Sequence, residues 1–167
     1  MPSLIKGSQV VEDAWQLVTD RETPITDLPK GDVIVPLSMW KSNADALRKR
    51  QGSIAIWLDA GEEAEDIADD IQHFTLIAIN FPTFADGRGL SSAVLLRTRF
   101  GFEGELRAIG DIRRDWLSYM RRCGFDSYQM SSDEDAKRAI DSLVVMHDYY
   151  QGSVVEPAPL YRRKQRN

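Results

Sequence analysis

The sequence predicts a mixed α/β fold with a five-stranded, mostly parallel sheet whose strands alternate with helices. Three short apolar runs rich in β-branched residues, a fourth, more amphipathic run and a fifth, short strand segment lie between residues 33 and 130. The segments between them carry apolar residues at helical spacing; the first ends with basic side chains, and the second and last begin with acidic ones. Such alternation favours parallel strands joined by right-handed crossovers. A flavodoxin-like three-layer sheet is the first choice, and a partial β/α barrel is the alternative because repeated βα units also fit half a barrel.

Length and composition indicate one folded domain with two extensions. The chain has 167 residues, of which 43% are hydrophobic and 28% charged, as is usual for a globular protein. Residues 1–30 predict a short N-terminal hairpin around Lys6-Gly7-Ser8 and a polar loop, which together form an appendage. Residues 31–152 form the single α/β domain. Residues 153–167 are proline-bearing and basic, which predicts a disordered tail.

The elements follow in order from these patterns. The strands are predicted at residues 33–37, 53–58, 74–79, 105–109 and 125–130. The helices are predicted from Ser38 or Ser42 to about Gly52, and then at residues 61–71, 91–102, 112–124 and 133–151. The third helix is expected to begin near Leu90 or Ser91. The last helix is expected to bury a stripe formed by Ala136, Ile140, Leu143, Val144 and His147.

Composition also excludes several function classes. The net charge is −5, which argues against nucleic acid as a partner, although residues 81–130 carry eight arginines against six acidic side chains. No apolar run approaches the roughly 20 residues of a membrane span, so no membrane partner is expected. One cysteine and two histidines make a structural zinc or other metal site unexpected. The first residues lack a secretory apolar region, so we expect a cytoplasmic protein.

The turn after the third predicted strand is the best candidate for a binding site. Ligands of parallel sheets bind beyond the carboxyl ends of the strands, and this turn is the longest core loop. Glycines, an arginine and hydroxyls at a helix start suit a small oxyanion. The turn after the fourth strand lies nearby if the two strands are neighbours. The candidate anion-binding residues of the two turns are Asp86, Gly87, Arg88, Gly89, Ser91, Ser92, Asp111, Arg113 and Arg114.

A structural role for the same residues stays open. Asp86 could cap the turn, and Arg88 could pair with Asp111 or Asp115 as a clamp. The spacing matches neither a P-loop nor a dinucleotide fingerprint. Cys123 lies late in a helix, where packing is the more frequent role than catalysis. The sequence contains no complete catalytic motif, so catalytic residues, cofactors and enzymatic activity stay unassigned.

One long stretch resembles a known family. The run FPTFADGRGLSSAVLLRTRFGFEGELRAIGDIRRDWLSYMRRCGFDSYQM is similar to the proteobacterial domain-of-unknown-function 934 family. LIKGSQVVEDAW, VIVPLSMW and IAIWLDAGEEAEDIADDI extend the resemblance over most of residues 1–150. Trp116 departs from the family pattern, in which many members carry glutamine. The resemblance implies a cytoplasmic bacterial protein encoded beside sulfite reductase, and some members are labelled oxidoreductase.

Three functions follow as hypotheses. The first is an accessory protein of assimilatory sulfate or sulfite reduction, which binds a small oxyanion or sulfur metabolite or docks on sulfite reductase. The second is a small enzyme that acts on an anionic substrate through Asp86, Arg88 and Asp111. The third is a non-catalytic interaction scaffold.

Overall fold

A computed structural model describes residues 3–143, 146 and 148–163, and these residues form one eight-stranded sheet and five α-helices. The strands are β1 (Ser3–Lys6), β2 (Gln9–Val11), β3 (Gln16–Leu17), β4 (Val33–Pro36), β5 (Ile54–Leu58), β6 (Leu76–Phe81), β7 (Glu105–Gly110) and β8 (Ser127–Met130). The helices are α1 (Leu37–Arg48), α2 (Arg88–Thr98), α3 (Leu117–Arg122), α4 (Asp133–Ala139) and α5 (Leu160–Arg163). The strand order in the sheet is β2-β1-β8-β7-β6-β5-β4-β3.

The five predicted strands are confirmed as β4 to β8, and they pair in parallel in their order along the chain. Because successive right-handed crossovers then all pass over the same face, the helices collect on that face and the sheet curls into a half-barrel. A flavodoxin-like sheet needs a reversal of strand order so that helices cover both faces. The three-layer arrangement is therefore not confirmed, and the partial barrel fits.

The convex face of the sheet carries the main apolar core. Alternate strand residues point outward, among them Val35, Ile56, Ile77 and Leu106. They pack against buried residues of the helices and crossover segments, which include Leu37, Trp40, Leu47, Ala93, Leu96, Leu117, Met120, Ala136 and Ala139. The continuous apolar pattern of β4, β5 and β6 arises because their alternate residues are buried on the opposite face as well.

The second predicted helix, at residues 61–71, is wrong. This crossover contains two short 3-10 turns instead, at Ala64–Ile67 and Ile71–His73. The segment carries acidic residues four apart, such as Glu65 and Asp69, and like charges at this spacing disfavour an α-helix. The carboxylates point to other elements: Asp66 accepts a hydrogen bond from Lys41 at 2.9 Å, for example.

The last predicted helix is shorter than expected. α4 ends at Ala139 and continues as a 3-10 turn over Ile140–Leu143. Val144 and His147 of the predicted buried stripe lie outside the described residues.

The N-terminal hairpin is confirmed, and it extends the sheet. β1 and β2 pair around Gly7, and β1 also pairs antiparallel with β8. Residues 12–15 then cross the concave face to reach β3, which pairs with β4. Trp15 and Leu17 pack there on a small apolar cluster of strand residues.

The described part of the C-terminal segment contacts α3. The Val154 N–H donates to the Arg122 carbonyl at 3.0 Å, and Arg122 donates to the Gln151 carbonyl at 3.2 Å. The disordered tail at residues 153–167 stays a prediction, and residues 164–167 lie outside the described part. None of the helices in the described part of the chain combines the length and the apolar character that a membrane span requires.

A buried charge network fills the concave face beside the apolar cluster. The Arg107 side chain is 2% exposed. Its Nη1 donates to both carboxylate oxygens of Asp13 at 2.8 Å, and its Nε and Nη2 donate to Glu105 Oε1 at 3.1 and 2.9 Å. Glu105 also accepts from Ser127 Oγ and from Lys6 Nζ, both at 2.6 Å. The network joins β1, the crossing segment, β7 and β8.

Glu105 stays ionised within this network. Burial by itself raises the pKa of its carboxyl group, but the hydrogen bonds from Lys6 and Ser127 and the charge of Arg107 outweigh burial, so the pKa is lowered overall. Each buried charge thus has an opposite charge and a hydrogen-bond partner, which is the condition under which ions are tolerated in a protein interior.

Replacing Arg107 with methionine should therefore destabilise the fold strongly. The Arg107→Met variant keeps an apolar stem but leaves the Asp13 and Glu105 carboxylates without their buried counter-ion. We expect the free energy of unfolding in urea to fall by about 3–5 kcal/mol. Arg99→Met is the matched control, because Arg99 pairs with Glu65 at the surface, and its loss should cost less than about 1 kcal/mol. Equal losses for the two variants would contradict the role of the network.

Candidate functional site

Two adjoining cavities lie at the carboxyl ends of the parallel strands. One, of about 440 Å³, is named the amide cavity for Asn80 and Gln129 in its wall. Its other lining residues are Leu17, Thr19, Trp57, Ile109, Gly110, Met130 and Ser131. The second, also of about 440 Å³, is named the arginine cavity and is lined by Asp111, Ile112, Arg113, Arg114, Met130, Ser131, Asp135 and Arg138. This edge of a parallel barrel-like sheet is where ligands usually bind.

The two strand-end turns predicted from the sequence do converge. Asp111 accepts a hydrogen bond from the Phe84 N–H at 3.0 Å and donates its own N–H to the Phe81 carbonyl at 2.8 Å. The Arg113 guanidinium lies 4.7 Å from the centre of the Phe84 ring. Gly110 has φ +99°, and a Cβ there would lie 2.3 Å from the Phe81 oxygen. Only glycine permits this close approach of the turns.

The DGRG turn is occupied by its own ion pair. The Asp86 carboxylate accepts from the Arg88 N–H at 3.2 Å, from Nε at 2.9 Å and from Nη2 at 2.6 Å. These hydrogen bonds lower the pKa of Asp86. The Asp86 carboxylate therefore lies beside the first amide of α2, at the position where the sequence predicts an external oxyanion.

Two details of the predicted DGRG site differ in the structure. α2 begins at Arg88 and not near Leu90 or Ser91, so Ser91 and Ser92 lie after its first residues. Asp86 accounts for the earlier start, because it accepts the N–H of the first helical residue. The alternative clamp, in which Arg88 pairs with Asp111 or Asp115, is wrong, because Arg88 pairs with Asp86.

Gly87 and Gly89 have different surroundings. Gly87 precedes α2 and has φ −83°, and a Cβ there would meet only a Leu90 methyl group at 3.9 Å. Gly89 is buried, and a Cβ there would lie 2.7 Å from Ile79 Cγ2 and 2.9 Å from the Phe81 ring. Gly89 therefore lets α2 pack closely on β6.

The arginine cavity brings together Asp111, Arg113 and Arg114 of the predicted set. Arg113 pairs with Asp111 at 3.2 Å and Arg114 with Asp115 at 3.5 Å, and these side chains are 40–75% exposed. The hydrogen bonds from Arg113 and from the Phe84 N–H lower the pKa of Asp111.

Arg138 of α4 is the third arginine of this cavity, and sequence reasoning missed it. It pairs with Glu134 one helical turn away, again at the surface. Asp135, on the same wall, accepts hydrogen bonds from Ser131 and Ser132, which lower its pKa. The turn after the fifth predicted strand contributes Ser131 to this cavity. Its position at the carboxyl end of a parallel strand is the signal in the sequence that points to it.

The amide cavity lies against a second polar cluster that the sequence did not indicate. Asn80 Nδ2 donates to Asp59 Oδ1 at 3.0 Å, and Arg21 donates to Asp59 Oδ2 at 2.7 Å. Burial alone would raise the pKa of Asp59, but the hydrogen bonds of Asn80 and the Ala60 N–H and the charges of Arg21 and Arg88 lower it overall. The available signal was the position of Asp59 directly after β5.

Other candidate groups have structural surroundings. Cys123 is buried in the convex core, and burial raises the pKa of its thiol, which disfavours the reactive thiolate. Within the residues that the structure describes, no group of three or more His, Cys, Asp and Glu side chains is arranged to hold a metal ion.

Comparison with known proteins gives one match. Residues 55–161 match the family described as bacterial protein of unknown function, DUF934. No curated protein and no solved structure matches the chain. The matched range begins in β5 and ends in α5, so it contains the whole lining of the arginine cavity and all of the amide cavity except Leu17 and Thr19.

The packing role of Gly89 can be tested by adding a single methyl group. Alanine favours helices over glycine, yet Gly89→Ala should destabilise the protein by about 1–3 kcal/mol, because the new Cβ overlaps Ile79 and Phe81. Gly87→Ala is the matched control and should change the unfolding free energy by less than about 1 kcal/mol. Both changes in unfolding free energy are to be measured by urea unfolding. A stabilised Gly89→Ala variant would show that α2 does not need this close approach.

Proposed function

The chain belongs to the bacterial family of unknown function DUF934, and we propose that it is a cytoplasmic accessory protein of assimilatory sulfite reduction that binds a small oxyanion. In this proposal sulfite or sulfate binds in the arginine cavity. The observation that carries it is the convergence of Arg113, Arg114 and Arg138 on one cavity at the carboxyl edge of the sheet. The pathway is proposed because the family resemblance implies a gene beside sulfite reductase.

The three guanidinium groups have hydrogen-bonding capacity to spare. Each guanidinium has five N–H donors in a planar fork that matches the spacing of oxyanion oxygens. The acidic partners of all three are at the surface, where ion pairs contribute little and exchange readily with solvent. An incoming oxyanion can therefore accept hydrogen bonds without breaking a buried pair.

The carboxylates in the same cavity are already engaged. Asp111 accepts from Arg113 and the Phe84 N–H, and Asp135 accepts from Ser131 and Ser132. These contacts reduce their repulsion of an anion, and they hold two walls of the cavity in place. In the DGRG turn, by contrast, an external anion would have to displace Asp86 from both Arg88 and the helix amide.

The enzyme hypothesis has less support from these contacts. A general base that works near neutral pH needs a pKa near that pH. Asp86 and Asp111 both have lowered pKa values, so they are weak bases. They also belong to two separate pairs, Asp86 with Arg88 and Asp111 with Arg113. These properties favour a role in binding and orienting an anionic ligand over a role in proton transfer.

Isothermal titration calorimetry with sulfate and sulfite tests the proposal. We expect the wild-type protein to bind at least one of the two anions. Arg114→Ala should weaken binding about tenfold or more, because a hydrogen bond to a charged group contributes about 1.5–3 kcal/mol. Arg88→Ala and Arg99→Ala should leave the affinity unchanged. Absence of binding by the wild type would refute the proposal, and weakening by Arg88→Ala alone would place the anion at the DGRG turn.

Sulfite reductase is the protein partner in this proposal, and one surface favours docking. Tyr119 of α3 and Tyr150, Val155 and Tyr161 of the C-terminal segment are 54–70% exposed, and we call them the tyrosine surface. A depression beside them is lined by Arg121 and Arg122 together with Glu156, and its two arginines suit an acidic partner patch.

Capture of purified sulfite reductase haemoprotein on the immobilised chain tests docking. The Tyr119→Asp/Tyr161→Asp variant should lose capture, because it places negative charge in an aromatic, basic surface. Gln51→Asp is the control, since Gln51 is exposed near the end of α1. Capture of all three proteins to the same extent, or of none, would argue against docking at this surface while leaving the anion site untouched.

A further inference from the structure

We propose that the amide cavity and the arginine cavity together form one bipartite site for a nucleotide, whose base enters the amide cavity and whose phosphate or sulfate group meets the arginines. The inference rests on the proposed anion site and specifies the class of ligand that carries the anion. Two cavities that share a wall at the binding edge of the sheet are the starting point.

The cavities adjoin at two strand ends. Met130 and Ser131, at the end of β8, line both of them. At the end of β7, Gly110 lines the amide cavity and its neighbour Asp111 lines the arginine cavity. In this proposal one ligand passes over these strand ends and reaches both cavities.

The amide cavity offers a mostly apolar interior with polar groups on its wall. Trp57, Ile109 and Leu17 supply apolar surface, and the Trp57 indole is held by a hydrogen bond from Nε1 to the Val18 carbonyl at 2.9 Å. A volume of about 440 Å³ lies within the usual range for small-molecule sites. An aromatic base suits such a site, since it buries its faces and keeps a polar edge.

The two amides suit the edge of a base. Asn80 Nδ2 donates to the Asp59 carboxylate, which fixes the orientation of the amide and leaves Oδ1 as an acceptor beside Gly110. Gln129 is half-buried, and within the described residues no protein group forms a hydrogen bond with its side chain. A half-buried amide without a protein partner is available to a ligand that presents both a donor and an acceptor.

The arginines of the arginine cavity bind the anionic end of the ligand. A nucleoside monophosphate, or the corresponding sulfate compound, joins a heterocycle with donor and acceptor groups to a doubly or singly charged oxyanion. Both halves of the site are needed for full affinity, because an inorganic anion has no base to fill the amide cavity. The cavities therefore favour a nucleotide over free sulfate.

Calorimetry with adenosine and guanosine 5′-monophosphates and with ribose 5-phosphate tests the inference on the full chain. We expect at least one nucleotide to bind about tenfold or more tightly than ribose 5-phosphate, which has the anion without the base. Gln129→Leu should remove most of this advantage without changing the affinity for ribose 5-phosphate. Thr19→Trp should do the same by filling the cavity from an exposed position, where it does not disturb the core. Arg114→Ala should weaken all three ligands.

The outcomes separate this inference from the proposed function. If sulfate or sulfite binds but neither nucleotide exceeds ribose 5-phosphate, the bipartite site is overturned and the anion site stands. The same conclusion follows if Gln129→Leu and Thr19→Trp both keep the full nucleotide advantage. If no anion binds at all, both proposals fail together.

Discussion

The buried pairing of Arg107 with Asp13 and Glu105 is the constraint on which the rest of the structure depends. When strands follow one another in chain order, every crossover passes over the convex face, and the concave face receives no helix from those crossovers. A parallel sheet left uncovered on one side would expose apolar strand surface to water. Here the segment at residues 12–15 covers part of that face, and the charge network anchors it there. The N-terminal hairpin is joined to the same network through Lys6.

This arrangement also shapes the candidate site. Arg107 pairs with Ser127 across β7 and β8, and two residues further along each strand, on the same concave face, come Ile109 and Gln129. The charge network thus lies beneath the amide cavity and fixes the two strands that form its floor. Beyond the strand ends, Gly110 brings the turns close enough for Asp111 to bond the Phe84 amide. The amide cavity is open because the crossovers leave the concave face free.

The predicted anion-binding residues form two separate groups in the structure, one held by local contacts and one assembled from distant segments. In the DGRG turn, a local carboxylate satisfies the arginine and the helix amide, because Asp86 and Arg88 are two residues apart and reach each other without long-range structure. In the arginine cavity, Arg113 and Arg114 come from one strand end and Arg138 from the helix after the next strand. The first group can be recognised from a motif of neighbouring residues. The second group forms only when separate strand ends come together in the fold.

The sequence by itself determined the five parallel strands, the N-terminal hairpin and the glycine-bearing turns, because apolar alternation and turn chemistry act over a few neighbouring residues. It also indicated Asp111, Arg113 and Arg114 as candidate ligands. It did not decide between a three-layer sheet and a half-barrel, since both have the same βα order and differ only in the spatial order of strands. It could not reveal the buried network, because Asp13 and Arg107 are 94 residues apart. Only the tertiary structure decided which charges meet in the interior, since pairing across the concave face depends on the curl and register of the whole sheet.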